Sequence, residues 1–197
     1  MSTRSRKLGR GDALIVVDVQ NDFLPGGALG VPDGDGVIPS INRCIGQFER
    51  GGFPIFATRD WHPPGHCSFR EQGGPWPPHC IAGTRGAEFP ASLQLPEAVQ
   101  IVSKASRPDA DAYSGFQGTD LERRLRDGGS RRVFVAGLAT DYCVRATVLD
   151  ARAAGFDAVV LDDAVRAVEV RPGDGARALA DMSASGAQIA SSGQLLP

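Results

Sequence analysis

The 197 residues, 42% of them hydrophobic, suffice for one domain with a substantial core and leave little for a second. A formal net charge of -2 gives no global electrostatic case for nucleic acid or an anionic membrane surface, so a small molecule is the expected partner. There is no apolar run of about eighteen residues, and the basic residues 1–10 lack an apolar stretch behind them, which argues against a membrane span or signal peptide and for a cytoplasmic protein.

Residues 1–10 read as a mobile tail and residues 11–197 as the domain. Apolar, β-branched runs at 13–17, 54–57, 99–102, 132–136, 158–161 and 188–190 read as buried strands. They alternate with helical stretches at 37–50, 119–127, 141–154 and 174–185, closed by Gly51, Gly128, Gly155 and Gly186. This rhythm predicts an α/β fold: one doubly wound, mainly parallel six-stranded sheet with helices on both faces, a Rossmann-like three-layer arrangement that binds ligands beyond the carboxyl ends of its strands. That rim would carry Asp18, Asp60, Lys104 and residues 137–143. The Pro- and Gly-rich segment 61–94 has no periodicity and exceeds a routine connection, which marks it as functional or disordered. It holds all three histidines (His62, His66, His79) and both tryptophans (Trp61, Trp76), which favours function.

Lysine is nearly absent: nineteen of the twenty-one basic residues are arginine, leaving Lys7 in the tail and Lys104 behind an apolar run. At Lys104 a compact ammonium differs in kind from an arginine fork. Cys143 closes Gly-Leu-Ala-Thr-Asp-Tyr-Cys, in the first turn of a helix if Thr140 is its N-cap. Unpaired amides and positive potential at a helix start lower a thiol pKa and can hold an oxyanion. The competing reading is a buried small hydrophobe, the common fate of a free cysteine. Asp18, at the end of Ile-Val-Val-Asp, is placed to take the thiol proton, or merely to cap a loop. Because every histidine lies in the long loop, a Cys-His-Asn arrangement is disfavoured.

Asp60 and His62 form an Asp-x-His pair beyond a strand, with His79 later in Trp-Pro-Pro-His-Cys; one carboxylate and two imidazoles leave open positions on a divalent ion. A structural zinc site from His66, Cys67, His79 and Cys80 lacks the usual gap between ligands, and solvated loop histidines are the plainer alternative. No CxxC pair occurs, and no second cysteine stands near Cys143 in sequence to resolve a disulfide, which weighs against a thiol-redox protein.

Five segments in this order, Asp18-Val-Gln-Asn-Asp-Phe23, Asp60-Trp-His-Pro, Trp76-Pro-Pro-His-Cys80, Ser103-Lys-Ala and Ala139-Thr-Asp-Tyr-Cys143, resemble the nicotinamidase/pyrazinamidase branch of the isochorismatase-like cysteine hydrolases over nearly the whole chain. The resemblance implies a catalytic triad of Asp18, Lys104 and Cys143, and an oxyanion hole from the Ala139 and Cys143 amides. It implies a divalent metal, zinc with iron or manganese as alternatives, on Asp60, His62 and His79; His66 aligns with a histidine that is a ligand in some members only. Phe23, Leu29, Trp76 and Tyr113 would sandwich a flat ring, where core packing is the alternative reading, and a cis peptide is implied at Leu138-Ala139. The implied reaction is hydrolysis of nicotinamide, and of pyrazinamide, to the acid and ammonia through a cysteine thioester, in NAD salvage. Another small amide, or a non-catalytic metal-binding module, are the rivals. Isochorismatases lack the cysteine and metal-free amidases lack the Asp-x-His ligands. The family includes monomers and homo-oligomers, and no segment here nominates an interface.

Overall fold

The computed structural model describes residues 6–196. Its strands are β1 (Arg6–Lys7), β2 (Asp12–Val17), β3 (Ile55–Asp60), β4 (Gln100–Lys104), β5 (Arg132–Leu138), β6 (Asp157–Arg166), β7 (Gln188–Ala190) and β8 (Leu195–Leu196). Its α-helices are α1 (Ile38–Arg50), α2 (Leu121–Asp127), α3 (Arg145–Ala153) and α4 (Asp174–Ala184). Six strands form one all-parallel sheet in the order β4-β3-β2-β5-β6-β7, as the α/β rhythm predicts.

Alternation along the central strands assigns each residue to a layer. Leu14 and Val16 of β2, with Phe134 and Ala136 of β5, pack on Ile41, Ile45 and Phe48 of α1. Ala13, Ile15 and Val17, with Val133 and Val135, face Leu121 and Leu125 of α2, Val148 of α3 and Met182 of α4. Such strands are buried on both faces, which is why they read as continuous apolar runs. The connections run outward from β2 in one direction and from β5 in the other, so the switch point lies between these two neighbours. Asp18 follows β2 there, and the segment bearing Cys143 follows β5.

Two local expectations need correction. Of the supposed tail 1–10, residues 1–5 lie outside the described residues, but Arg6–Lys7 pairs in parallel with β8 and Leu8 is buried. Apolar burial and ladder hydrogen bonds hold this segment against the domain. Cys143 does not sit behind a Thr140 N-cap in an α-helical first turn: Ala139 is the cap residue, and Thr140–Val144 is a single π-helical turn leading into α3. Such turns insert a residue into a helix and re-aim its side chains. As expected, α1 and α2 close at Gly51 and Gly128, which are their C-cap residues with right-handed φ (-80° and -75°), and the left-handed turn follows at Gly52 and Gly129. Among the described residues no helix is long and apolar enough to cross a membrane.

Candidate active site

Lys104, the last residue of β4, is 1% exposed and is the centre of the rim. Its ammonium pairs with Asp18 Oδ2 at 3.0 Å and with Asp60 Oδ1, donates to the Ala112 carbonyl at 3.0 Å, and lies 3.6 Å from Cys143 Sγ. Burial disfavours the ammonium, but Asp18 and Asp60 outweigh it and raise the Lys104 pKa well above the usual lysine range. An arginine would bring a planar fork to these partners in place of a compact ammonium with rotatable donors.

Asp18, Asp60 and Cys143 bring their reactive atoms within 4.8 Å of one another. Asp18 takes a φ of 48°, in the left-handed region that a side-chain-bearing residue rarely adopts and that clusters at functional sites. Its Oδ1 accepts the Thr58 hydroxyl at 2.7 Å, while Oδ2 is buried without a well-aligned donor and keeps a lone pair. Burial raises the Asp18 pKa against the opposing pull of Lys104, and Asp60 adds to the rise, so the carboxylate is a stronger base than an ordinary aspartate. Burial likewise raises the Cys143 pKa, with Lys104 opposing and the two carboxylates reinforcing it. This corrects the expectation of a helix-lowered thiol. Desolvation and the two carboxylates outweigh the pull of Lys104 and favour the thiol form, which faces Asp18 as a base. The remaining cysteines are less apt: burial pushes Cys44 up to about 12 and Cys80 far above the thiol range, and Cys67 is half-buried in the loop.

Asp60 also faces the histidines. Its Oδ2 lies 3.7 Å from His62 Nε2, and Asp60, His62 and His79 could together hold a metal ion. His62 Nδ1 lies 3.2 Å from the Ala105 carbonyl and His79 Nδ1 lies 2.8 Å from the Pro77 carbonyl. Because a carbonyl only accepts, both Nδ1 atoms carry the hydrogen and both Nε2 atoms keep lone pairs. His62 Nε2 is buried with no protein partner, an orphan that a cation would satisfy. Burial lowers the His79 pKa and favours the neutral, ligating form. Burial would raise the Asp60 pKa, yet Lys104 holds it below the usual carboxylate range. His66 stands apart: Nε2 donates to the Ala110 carbonyl (3.2 Å) and Nδ1 accepts from Ser68 Oγ (2.7 Å), which occupies both nitrogens. The alternative cluster of His66, Cys67, His79 and Cys80 does not form among the described residues.

Above these groups opens a cleft, mostly apolar, with Cys143, Asp60 and His79 at its polar end. Phe23, Leu29, Trp76 and Tyr113 all line it. Trp76 Nε1 donates to the Tyr113 hydroxyl at 3.0 Å, and Tyr142 meets Trp76 edge-on at 5.3 Å between centroids. Ala139 lines the cleft, and the Leu138-Ala139 peptide is cis.

Sequence reasoning missed several residues. Val31, Leu138, Tyr142 and Val168 complete the wall, and Tyr142 stood unremarked beside Cys143 in the quoted segment. Gln20, fully buried, pairs its side-chain amide with the Asp60 main chain in both directions (2.7 and 2.8 Å) and donates to the Ala87 carbonyl at 2.9 Å. Asp22 Oδ2 accepts the Cys80 amide at 2.7 Å and so fixes the residue after His79. Polar residues three and five positions beyond the end of β2 were the available signal, but such residues are too common to single out unaided.

Residues 12–194 match the isochorismatase domain. The chain is 39% identical over 198 residues to the nicotinamidase of Escherichia coli (strain K12), covering 90% of this chain and 93% of that protein. It superposes on the pyrazinamidase of Pyrococcus horikoshii in complex with zinc with a TM-score of 0.89 at 54% identity, covering 92% and 99% of the two chains. It superposes on PnC1 from L. infantum in complex with nicotinate with a TM-score of 0.88 at 38% identity, covering 95% and 96%. The match spans sheet, loop and rim together, and the chain belongs to the isochorismatase family, in its nicotinamidase/pyrazinamidase branch.

Proposed function

We propose that this protein is a nicotinamidase: it hydrolyses nicotinamide, and pyrazinamide, to the carboxylic acid and ammonia through a thioester on Cys143, a reaction of NAD salvage. The observation that carries this reading is the convergence of Lys104 and Asp18 on Cys143, which lines an aromatic cleft whose polar end also holds Asp60 and His79, with His62 grouped beside them.

Asp18 accepts the Cys143 proton as Sγ attacks the carboxamide carbon, and a C–S bond forms while the carbonyl π pair moves to oxygen. The Ala139 and Cys143 amides are the proposed donors to that oxygen. Collapse breaks the C–N bond, Asp18 returns its proton to the departing nitrogen, and ammonia leaves. A water then attacks the thioester and gives a proton to Asp18. The C–S bond breaks, the thiol is reprotonated, and the acid is released. Lys104 stays protonated throughout and holds Asp18 and the sulfur in register. The walls Phe23, Trp76 and Tyr113 sandwich the ring and exclude bulk water. Asp60, His62 and His79 would hold a divalent ion, with zinc favoured by two imidazoles and one carboxylate; when bound it supplies a fixed positive charge that anchors a ring nitrogen or a water bonded to it.

The test is ammonia release from nicotinamide by purified protein, beside Cys143→Ala and a chelated sample restored with zinc. Release lost in both and regained with metal supports the reading. Full turnover by Cys143→Ala would remove the nucleophile assignment, and no release from folded, metal-loaded protein would point to another small amide.

A further inference from the structure

The wall at Val168 is not carried by the sheet. β6 ends at Arg166, and residues 167–173 cross the rim before α4 begins. Two successive main-chain amides of this strap, those of Val168 and Glu169, donate to the two oxygens of one carboxylate: Val168 N to Asp141 Oδ1 at 2.9 Å and Glu169 N to Asp141 Oδ2 at 3.1 Å. Glu169 then takes a φ of 57°, and its own carboxylate accepts the amides of Gly173 at 2.6 Å and Gly175 at 2.8 Å. A Cβ on Gly175 would lie 2.8 Å from both Ala167 Cβ and Glu169 Oε1, so this seat is cut for a glycine. Two carboxylate clamps in series thus replace the missing ladder.

The first clamp decides which valine meets a ligand. In an extended run Val168 and Val170 would face the same side. Here the left-handed residue between them breaks the alternation, and Val168 lines the cleft with Tyr142 and Cys143 while Val170 is 63% exposed. Asp141 belongs to the turn that carries Cys143, two positions earlier, so the carboxylate ties that turn to the wall facing it.

We propose that Asp141 is a positioning residue: its carboxylate fixes the 168–169 amides so that Val168 forms the wall against the ring of the carboxamide, and thereby sets substrate affinity and the bulk of ring admitted. The proposal deepens, and rests on, the ring-carboxamide reading of the cleft. Asn at position 141 keeps the shape but turns an NH₂ toward a main-chain N–H, donor against donor, and releases part of the strap.

The experiment combines site-resolved amide hydrogen exchange with steady-state kinetics on the metal-loaded full chain, as wild type, Asp141→Asn, Val168→Ala and the double variant. In the wild type the Val168 and Glu169 amides should exchange as slowly as those of β6. In Asp141→Asn they should exchange at least about a hundredfold faster with β5 unchanged. KM for nicotinamide should rise about tenfold with kcat within about threefold, the pattern of lost binding rather than lost chemistry. Asp141→Asn should also admit a nicotinamide methylated at ring carbon 5 relatively better than the wild type does. The double variant should be no weaker than Asp141→Asn alone, because both remove the same wall.

Fast exchange of the two amides in the wild type, needing no variant, would overturn the clamp. So would a fall in kcat at unchanged KM, which would place Asp141 in the service of the Cys143 turn instead. Wild-type protein that releases no ammonia from nicotinamide would count against the function reading, and the exchange arms would still judge the clamp.

Discussion

Lys104 and Asp60 form a buried ion pair, and the second oxygen of Asp60 faces His62 Nε2 at 3.7 Å, so one carboxylate belongs to both the thiol cluster and the imidazole pair. Removing the ammonium would leave Asp18 and Asp60 facing each other in a dry site, and breaking a buried pair from one side costs on the order of 3–5 kcal/mol. Lys104→Met should therefore lower kcat at least about a hundredfold and shift the urea midpoint down. Lys104→Arg should not restore activity, because a planar fork cannot serve the same partners from the same stem. A Lys104→Met protein with wild-type ammonia release would sink the account of the rim.

The orphan nitrogen of His62 leads to a separate expectation. His62→Ala or His79→Ala should bring bound zinc from about one per chain to near none by elemental analysis, with far-ultraviolet circular dichroism preserved, since each removes one of the three proposed ligands. His66→Ala should keep the metal, because both nitrogens of His66 are engaged by Ser68 and Ala110. Loss of zinc in His66→Ala with retention in His79→Ala would reverse the ligand set.

The layers were legible in the sequence because strands buried on both faces must be continuously apolar, as 13–17 and 133–136 are, and because the strand-helix alternation leaves few topologies. The rarity of lysine pointed to Lys104, and the clustering of histidines to His62, His66 and His79 together, before any geometry. What escaped was decided by side chains that act on main chain far away in sequence: Gln20 on Asp60, Asp22 on Cys80, Asp141 on Val168. Nothing in the residue types of those pairs encodes their meeting. The direction of the Cys143 shift escaped for a related reason: the helix start was visible, but the burial and the two neighbouring carboxylates that outweigh it exist only once the strands align.

Gly137 shows how closely the two switch-point strands approach. It lies in β5 opposite Val17 with a φ of 119°, and a Cβ there would sit 2.1 Å from the Val17 carbonyl oxygen. That contact is backbone, so no rotamer relieves it, and Val17 directly precedes Asp18. Gly137→Ala should cost on the order of 3 kcal/mol or more and, in whatever fraction folds, lower kcat by displacing Asp18 from Cys143. A variant with wild-type melting temperature and turnover would show that the strands can part freely.

Asp163 makes the acid limb of stability testable away from the cleft. Its carboxylate on β6 accepts the Ser192 amide at 2.6 Å and the Ser192 hydroxyl at 2.5 Å, and lies 3.7 Å from Arg43 on α1, so it ties the carboxyl-terminal segment to both layers. Partial burial would raise its pKa, but the Ser192 bonds and Arg43 outweigh that and lower it below the ordinary carboxylate value. A folded-state pKa below the unfolded one means the folded state binds its proton later. The stabilisation is complete above about pH 4, where the unfolded chain titrates, and is lost as pH falls through the lower folded value. Asp163→Asn should thus be less stable than wild type by about 1 kcal/mol at pH 7, a figure kept small because the group is one-third exposed. That gap should close toward pH 3. Urea unfolding of both proteins at the two pH values decides it: a gap that stays constant or widens on acidification would mean that the charge of Asp163 is not what holds Ser192.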